Sequence, residues 1–282
     1  GELAAAAAVL RQHMIRLDTG RSDVLDTCGI GGDDKGTFNI STAAALLAAG
    51  AGGTVVKHGN RAVSSHSGSA DVLAVLGVPL REDIDWVRRC LTQAGLAFCF
   101  APHFHPALQH VAPIRRRLRM RTLFNCLGPL ANPAGAVYQV LGVGRPELLD
   151  PLAGALARLG TRRAFVVSGR EGLDEVSLTG PTLVREVRGS TVRVAEWSPD
   201  DFGLAPVALA ELHVSGPEES AALIRAILEG KESPAARVAI ANAAAALLAA
   251  EQVETLQEGV ARARTAIQSG RARQVLDRLV AC

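Results

Sequence analysis

Between Asp26 and Asp71 the chain gathers glycines, hydroxyls, three cations and carboxylates: DTCGIGGDDKGTFNIST, an alanine-rich run, then VVKHGNRAVSSHSGSAD. That mixture suits a polyanionic ligand carried with a divalent metal and is poorly suited to a hydrophobic core. Gly29, Gly31 and Gly32 come first. A glycine costs about 1 kcal/mol relative to alanine in a regular element, so three in one turn need a reason. Simple turn geometry is one; backbone N–H groups that must approach a phosphate with no Cβ in the way are another. The spacing excludes two named phosphate loops. A GxGxxG fingerprint requires glycine at Asp34, and the order Lys35, Gly36, Thr37 does not make GK[ST].

Asn39, Ser41 and Thr42 follow the turn, either as helix caps or as a cradle for phosphate and metal. Lys57, His58, Gly59, Asn60 and Arg61 follow a β-branched strand, where open α/β sheets place ligands. Ser64, Ser65, Ser67 and Ser69 add hydroxyls, or else form a polar surface loop. Asp174 and Glu175 stand side by side after Gly172, again just past an apolar run. Alone they read as solvated charge. Beside a polyphosphate loop they become the best Mg2+ candidates, since that hard cation takes one or two carboxylates plus phosphates and water. Asp33 could bind a ligand or fix the loop through backbone hydrogen bonds. His103, His105 and His110 do not match a common zinc spacing and have no cysteine or carboxylate close by.

These groups need a scaffold of alternating strands and helices. The pattern predicts helices over residues 2–16, 42–49, 67–76, 84–94, 106–118, 151–159, 218–228 and 235–250, and one further helix from about Val253 onward. Ser41 or Asn39 is placed to cap the second. Strands are predicted as a strand end at 24–27, then at 54–57, 98–100, 138–143 and 164–168, with more within 182–194. The glycine-bounded apolar runs at 138–143 and 164–168, with a helix between them, form a βαβ unit of a parallel sheet.

With 282 residues, a net charge of +2 and 48% hydrophobic residues, the chain can build one large α/β domain with a smaller partner. The charge balance argues against a nucleic-acid or membrane surface. Arg115, Arg116, Arg117, Arg119 and Arg121 cluster either as a solvated helix face or in a substrate role. Five cysteines without a CxxC pair indicate neither a disulfide framework nor a cysteine zinc site, which fits a reducing cytoplasm. The opening residues lack the marks of a signal peptide and begin without Met, so the gene product is expected to start earlier.

The segments GIGGD, TFNIST, KHGNR, SGSAD, FAPHFHP, RTLFNCLGPLANP, GLDE and ANAAAAL occur in an order that resembles the anthranilate phosphoribosyltransferase family. The resemblance covers essentially the whole chain. It implies a large domain with a mostly parallel sheet flanked by helices, plus a small all-helical domain. The small domain would comprise 1–20 and 104–120, and the α/β domain 21–103 and 121–282. It implies transfer of phosphoribose from 5-phosphoribosyl 1-pyrophosphate (PRPP) to the amine of anthranilate, with Mg2+, in a cytoplasmic homodimer. By the same resemblance Gly29, Gly31, Gly32, Asp33, Thr37, Asn39, Ser41, Thr42, Lys57, His58, Gly59, Asn60 and Ser69 bind PRPP. Gly29, His58, Asn60 and Arg115 line the anthranilate site, and Ser41, Asp174 and Glu175 hold metal. Ile30 departs from the family's GTGGD turn, and two or three family helices at the N-terminus have no counterpart here. Rival readings are a pyrimidine nucleoside phosphorylase-like enzyme, a non-enzymatic nucleic-acid-binding relative, and a transferase for another aromatic amine.

Overall fold

The apolar runs that end in glycine form the centre of the molecule. In the computed structural model, which describes residues 1–31, 35–62, 67–81, 83–111, 117 and 122–282, they are parallel strands. β1 (Val24–Gly29), β2 (Thr54–Gly59), β3 (Leu96–Phe100), β4 (Tyr138–Gly142) and β5 (Arg163–Gly169) pair in parallel. β6 (Thr182–Arg188) and β7 (Thr191–Trp197) extend the sheet antiparallel, in the order β3-β2-β1-β4-β5-β6-β7. Burial on both faces explains why β4 and β5 read as continuous apolar runs. The edge strand β7 is largely exposed.

Successive side chains of a strand point to opposite faces. Val140, Phe165 and Val167 accordingly enter one hydrophobic cluster, and Leu141, Ala164 and Val166 the other. The second cluster is covered by α1 (Glu2–His13), α6 (Phe124–Leu127) and α7 (Leu149–Arg158). The first is covered by α2 (Ile40–Gly50), α3 (Ser69–Val75), α4 (Ile84–Ala94), α5 (Ala101–Phe104), α8 (Pro217–Leu228), α9 (Pro234–Ala249), α10 (Leu256–Gln268) and α11 (Arg271–Ala281). The alanine bias of α2 and α9 has a packing reason. Both helices are buried nearly all round and lie against each other, where small side chains permit close approach.

Several element ends differ from the sequence expectation. α1 stops at His13 because Met14 turns extended, with φ −85° and ψ 154°. The terminal helix expected from Val253 is two helices, α10 and α11, split at Gly270, whose φ of +72° is a left-handed conformation that breaks the turn. Residues Pro106–His110 form a single 3-10 turn; beyond it the expected helix lies outside the described residues, apart from helical Arg117. Among the described residues no helix is long and apolar enough to cross a membrane.

The topology decides where a ligand can sit. From β1 the chain builds outward to β2 and β3, then returns to place β4 on the other side of β1. The helices that follow β1 and β4 cover opposite faces of the sheet. The strand order therefore reverses at the carboxyl ends of β1 and β4, where Gly29 pairs with Gly142, the switch point at which α/β sheets place their ligand crevice.

Candidate active site

The turn after β1 and the loop after β5 meet at that crevice. Gly31 adopts φ +73° and its N–H donates to Asp174 Oδ2 at 3.0 Å. A Cβ on Gly29 would stand 2.5 Å from the same oxygen, and one on Gly142 would overlap the Asp174 carbonyl. Two strand-end glycines thus make room for one carboxylate residue. The neighbouring carboxylate turns the other way: Glu175 Oε1 accepts the N–H of Ser41 at 3.0 Å. It sits at the amino end of α2, where the helix dipole favours negative charge.

Behind Ser41 lies a buried ionic cluster. Lys57, 2% exposed, donates through Nζ to the Thr27 carbonyl and to Ser41 Oγ, the latter at 3.1 Å. Thr27 Oγ1 donates to the Ser41 carbonyl at 3.0 Å. Asp26, fully buried in β1, accepts the His58 N–H at 3.2 Å and Asn132 Nδ2 at 2.8 Å; Asn132 also donates to the Val56 carbonyl at 2.8 Å. Burial pushes the Asp26 carboxyl up and the Lys57 ammonium down, while each charge opposes the other's shift.

Asn39 holds the N-cap position of α2, but its side chain does not cap the helix. Its Nδ2 donates to the Ser67 carbonyl at 3.0 Å, and its Oδ1 accepts from Ser67 Oγ at 2.7 Å and Ser220 Oγ at 2.8 Å. The amide is spent on joining the two loops and α8 rather than on helix N–H groups. Thr42 Oγ1 is buried and has no partner among the described residues. Thr37 bridges to His213, and the flanking bonds Phe38 N–Leu212 O at 3.0 Å and Val214 N–Gly36 O at 2.9 Å strap the exit of the glycine turn. Gly59 closes β2 against the side chain of Ser69, whose hydroxyl donates to the carbonyl of exposed Asn60 at 3.4 Å. Asp71 Oδ2 accepts from Ala62 N at 2.8 Å and Gly68 N at 3.1 Å, pinning that loop to α3.

His58 is buried and neutral. Its Nδ1 faces the Gly128 carbonyl at 3.1 Å, so the proton resides there, and Nε2 is left a buried acceptor without a partner among the described residues. The ring lies 4.9 Å from that of His105. Burial first, and the His105 and Lys57 charges after it, lower its pKa from 6.5 to about 3. Between those values only the unfolded chain binds the proton. The stability contribution is therefore complete above pH 6.5 and falls as pH drops toward about 3. The loss is at most about 1.4 kcal/mol per pH unit. Urea unfolding of H58Q is expected to vary less between pH 6.5 and 5 than that of the unsubstituted chain, and equal slopes would contradict a neutral buried His58.

The structure thus brings together Gly29, Gly31, Ser41, Lys57, Asp174 and Glu175, joins Asn39 to Ser67, and places His58, Gly59, Asn60 and Ser69 around the end of β2 and its loop. Gly32, Asp33, Ser64, Ser65, Arg115, Arg116, Arg119 and Arg121 lie outside the described residues. The donor set of Asp174, Glu175 and Ser41 is all oxygen, which fits a hard cation. Among the described residues no group of three or more His, Cys, Asp or Glu forms a cage. A cation here would complete its shell with phosphate and water, as Mg2+ does.

Sequence reasoning gave no role to Asp26, Asn132, Ser220 or Asn242, although Asn132 and Asn242 fall within the quoted RTLFNCLGPLANP and ANAAAAL segments. An aspartate inside a strand and an asparagine amid alanines were weak signals; Ser220 carried none.

Comparison with known proteins agrees with this geometry. Residues 21–273 match the profile of the glycosyl transferase family, a/b domain. The anthranilate phosphoribosyltransferase of Herpetosiphon aurantiacus is 49% identical over 99% of this chain and 83% of its own length. The crystal structure of the Thermus thermophilus enzyme of that name superposes with a TM-score of 0.93 at 47% identity, covering 99% of this chain and 84% of that one. The Saccharomyces cerevisiae enzyme, solved with PRPP and Mg, gives a TM-score of 0.89 at 32% identity over 99% of this chain and 78% of the yeast chain. It has also been solved with 4-fluoroanthranilate. Fold, motif order and full-length similarity converge: the chain belongs to the glycosyl transferase family and, within it, to the anthranilate phosphoribosyltransferases.

Proposed function

We propose that this chain transfers the phosphoribosyl group of PRPP to the amine of anthranilate, releasing pyrophosphate and N-(5-phosphoribosyl)anthranilate for tryptophan biosynthesis. The observation that carries this reading is the meeting of the glycine turn, the α2 amino end and the Asp174–Glu175 pair at the β1/β4 crevice. The same reading divides the chain into a small helical domain at 1–20 and 104–120 and an α/β domain at 21–103 and 121–282. It makes the protein a cytoplasmic homodimer.

Breaking the bond from ribose C1 to pyrophosphate oxygen leaves positive charge on the sugar and negative charge on the leaving group. Backbone N–H groups of the glycine turn and of the α2 amino end are placed to stabilise that anion. Asn39, Ser41, Thr42 and Thr37 surround the same end of α2 and bind the phosphoribosyl part. Lys57 adds positive charge from beneath Ser41. Asp174, Glu175 and Ser41 would hold Mg2+, which when bound supplies charge neutralisation beside the departing pyrophosphate. The aromatic amine of anthranilate is already neutral, so it needs orientation more than a base. His58, Asn60 and Arg115 provide that orientation, Arg115 through a charge-assisted bond to the carboxylate worth about 1.5–3 kcal/mol.

Anthranilate fluorescence tests the reading. It should decay when PRPP and Mg2+ are both present and persist when either is omitted. Persistent fluorescence, with phosphorolysis of thymidine instead, would favour the nucleoside phosphorylase reading.

A further inference from the structure

The loop between β5 and β6 carries Asp174 and Glu175, and much of its bonding is local. Gly169 N donates to Leu173 O at 2.9 Å and Arg170 N to Pro181 O at 3.0 Å. Ser177 Oγ and Thr179 Oγ1 both donate to Glu171 Oε1, at 2.5 and 2.6 Å. Such bonds shape the loop without fixing where it stands against the rest of the site.

Asn242 does that. It lies in α9, 2% exposed, and every other buried side chain of that helix is apolar. Its Oδ1 accepts the Val176 N–H at 2.9 Å, and its Nδ2 donates to the Val176 carbonyl at 2.9 Å and to the Val238 carbonyl at 2.9 Å. One side chain therefore holds both main-chain polar groups of the residue that follows Glu175. The peptide planes on either side of Val176 are set by it, and the Val238 bond sets the amide itself against its own helix. The Val176 N–H belongs to the peptide plane leaving Glu175, so the Asn242 bond restrains the main chain from which Glu175 reaches Ser41 N. The partners are backbone atoms, so an apolar side chain at 242 would leave both unmatched in the interior.

We propose that Asn242 is a positioning residue for the metal-holding carboxylates Asp174 and Glu175, setting affinity for the Mg2+–PRPP pair without touching either. The proposal rests on the functional reading above. Outer-shell partners of metal ligands commonly govern metal affinity or activity by about 10–100-fold.

The test compares N242A and N242D with L247A, a cavity on the same helix at a fully buried position outside the site. Thermal unfolding ranks the three for stability. Calorimetric binding of PRPP at several Mg2+ concentrations, and Mg2+ titration of transferase activity, then read the site. N242A is expected to weaken Mg2+-dependent PRPP binding by about tenfold or more beyond L247A, with the anthranilate KM little changed. Buried against two carbonyl oxygens, the N242D carboxyl takes up a proton, so it keeps the acceptor for the Val176 N–H and one of the two donated bonds, and should fall between. It carries the test if N242A does not fold: weaker Mg2+-dependent binding at a retained melting temperature supports the proposal. PRPP and Mg2+ affinities in N242A and N242D that match L247A would overturn it. Failure of the unsubstituted chain to bind PRPP with Mg2+ would instead overturn the functional reading, and this proposal with it.

Discussion

Asp174→Asn combined with Glu175→Gln is expected to lower turnover by about 100-fold or more and to raise the Mg2+ concentration needed for half-maximal rate. Both amides keep an oxygen that can accept from Gly31 N and Ser41 N, so the bonds that position this loop survive. What disappears is two negative charges facing the place where a cation would sit. The melting temperature should therefore move little while activity collapses. That separation distinguishes a metal role from a structural one, because a purely structural pair would lose stability along with rate. A Mg2+ titration identical to that of the unsubstituted chain would reject the assignment of these carboxylates to metal.

Gly142→Ala should produce the second large effect, through sterics rather than charge. A methyl group at 142 would overlap the Asp174 carbonyl oxygen and crowd the Glu175 nitrogen, which stands 3.3 Å from the added carbon. Both are main-chain atoms, so no flexible side-chain end can give way. Overpacking of this kind typically costs about 1–3 kcal/mol, and here the displaced segment is the one that carries both carboxylates. The variant should lose thermal stability and PRPP affinity together. Gly154→Ala is the matched control: it lies within α7, and an added Cβ meets nothing within 4 Å. Alanine there should be neutral or stabilising by up to about 1 kcal/mol. Unimpaired PRPP binding by the Gly142 variant would show that the Asp174 backbone is not held where the strand-end glycines leave room for it.

The parts of this site legible in the sequence were those in which residue type and local order coincide. The glycine-bounded apolar runs at 138–143 and 164–168 announced buried parallel strands, and β4 and β5 are parallel neighbours in the sheet. The polar groups that organise the loops depend on pairing across the chain and left weaker marks. Lys57 reaches Thr27 because β1 and β2 pair in parallel starting from Val24 with Thr54, a register that local pattern does not specify. Asn242 meets Val176 across 66 residues, and Ser220 meets Asn39 across 181. Each reads locally as an ordinary helix residue. Asn39 looked like a cap because asparagine is a strong capping residue, but tertiary partners claimed its amide. The split between α10 and α11 is not legible because apolar residues recur on both sides of Gly270, and its left-handed φ of +72° leaves no mark in the apolar pattern.

The structure of this chain bound to PRPP and Mg2+ bears most directly on where the donor sits. The pyrophosphate should lie against the turn from Gly29 to Asp33, with the cation between it and the Asp174–Glu175 pair and the ribose phosphate toward Asn39 and Thr42. Donor density elsewhere on the protein, with that turn empty, would contradict the assignment of the β1/β4 crevice as the phosphoribosyl site.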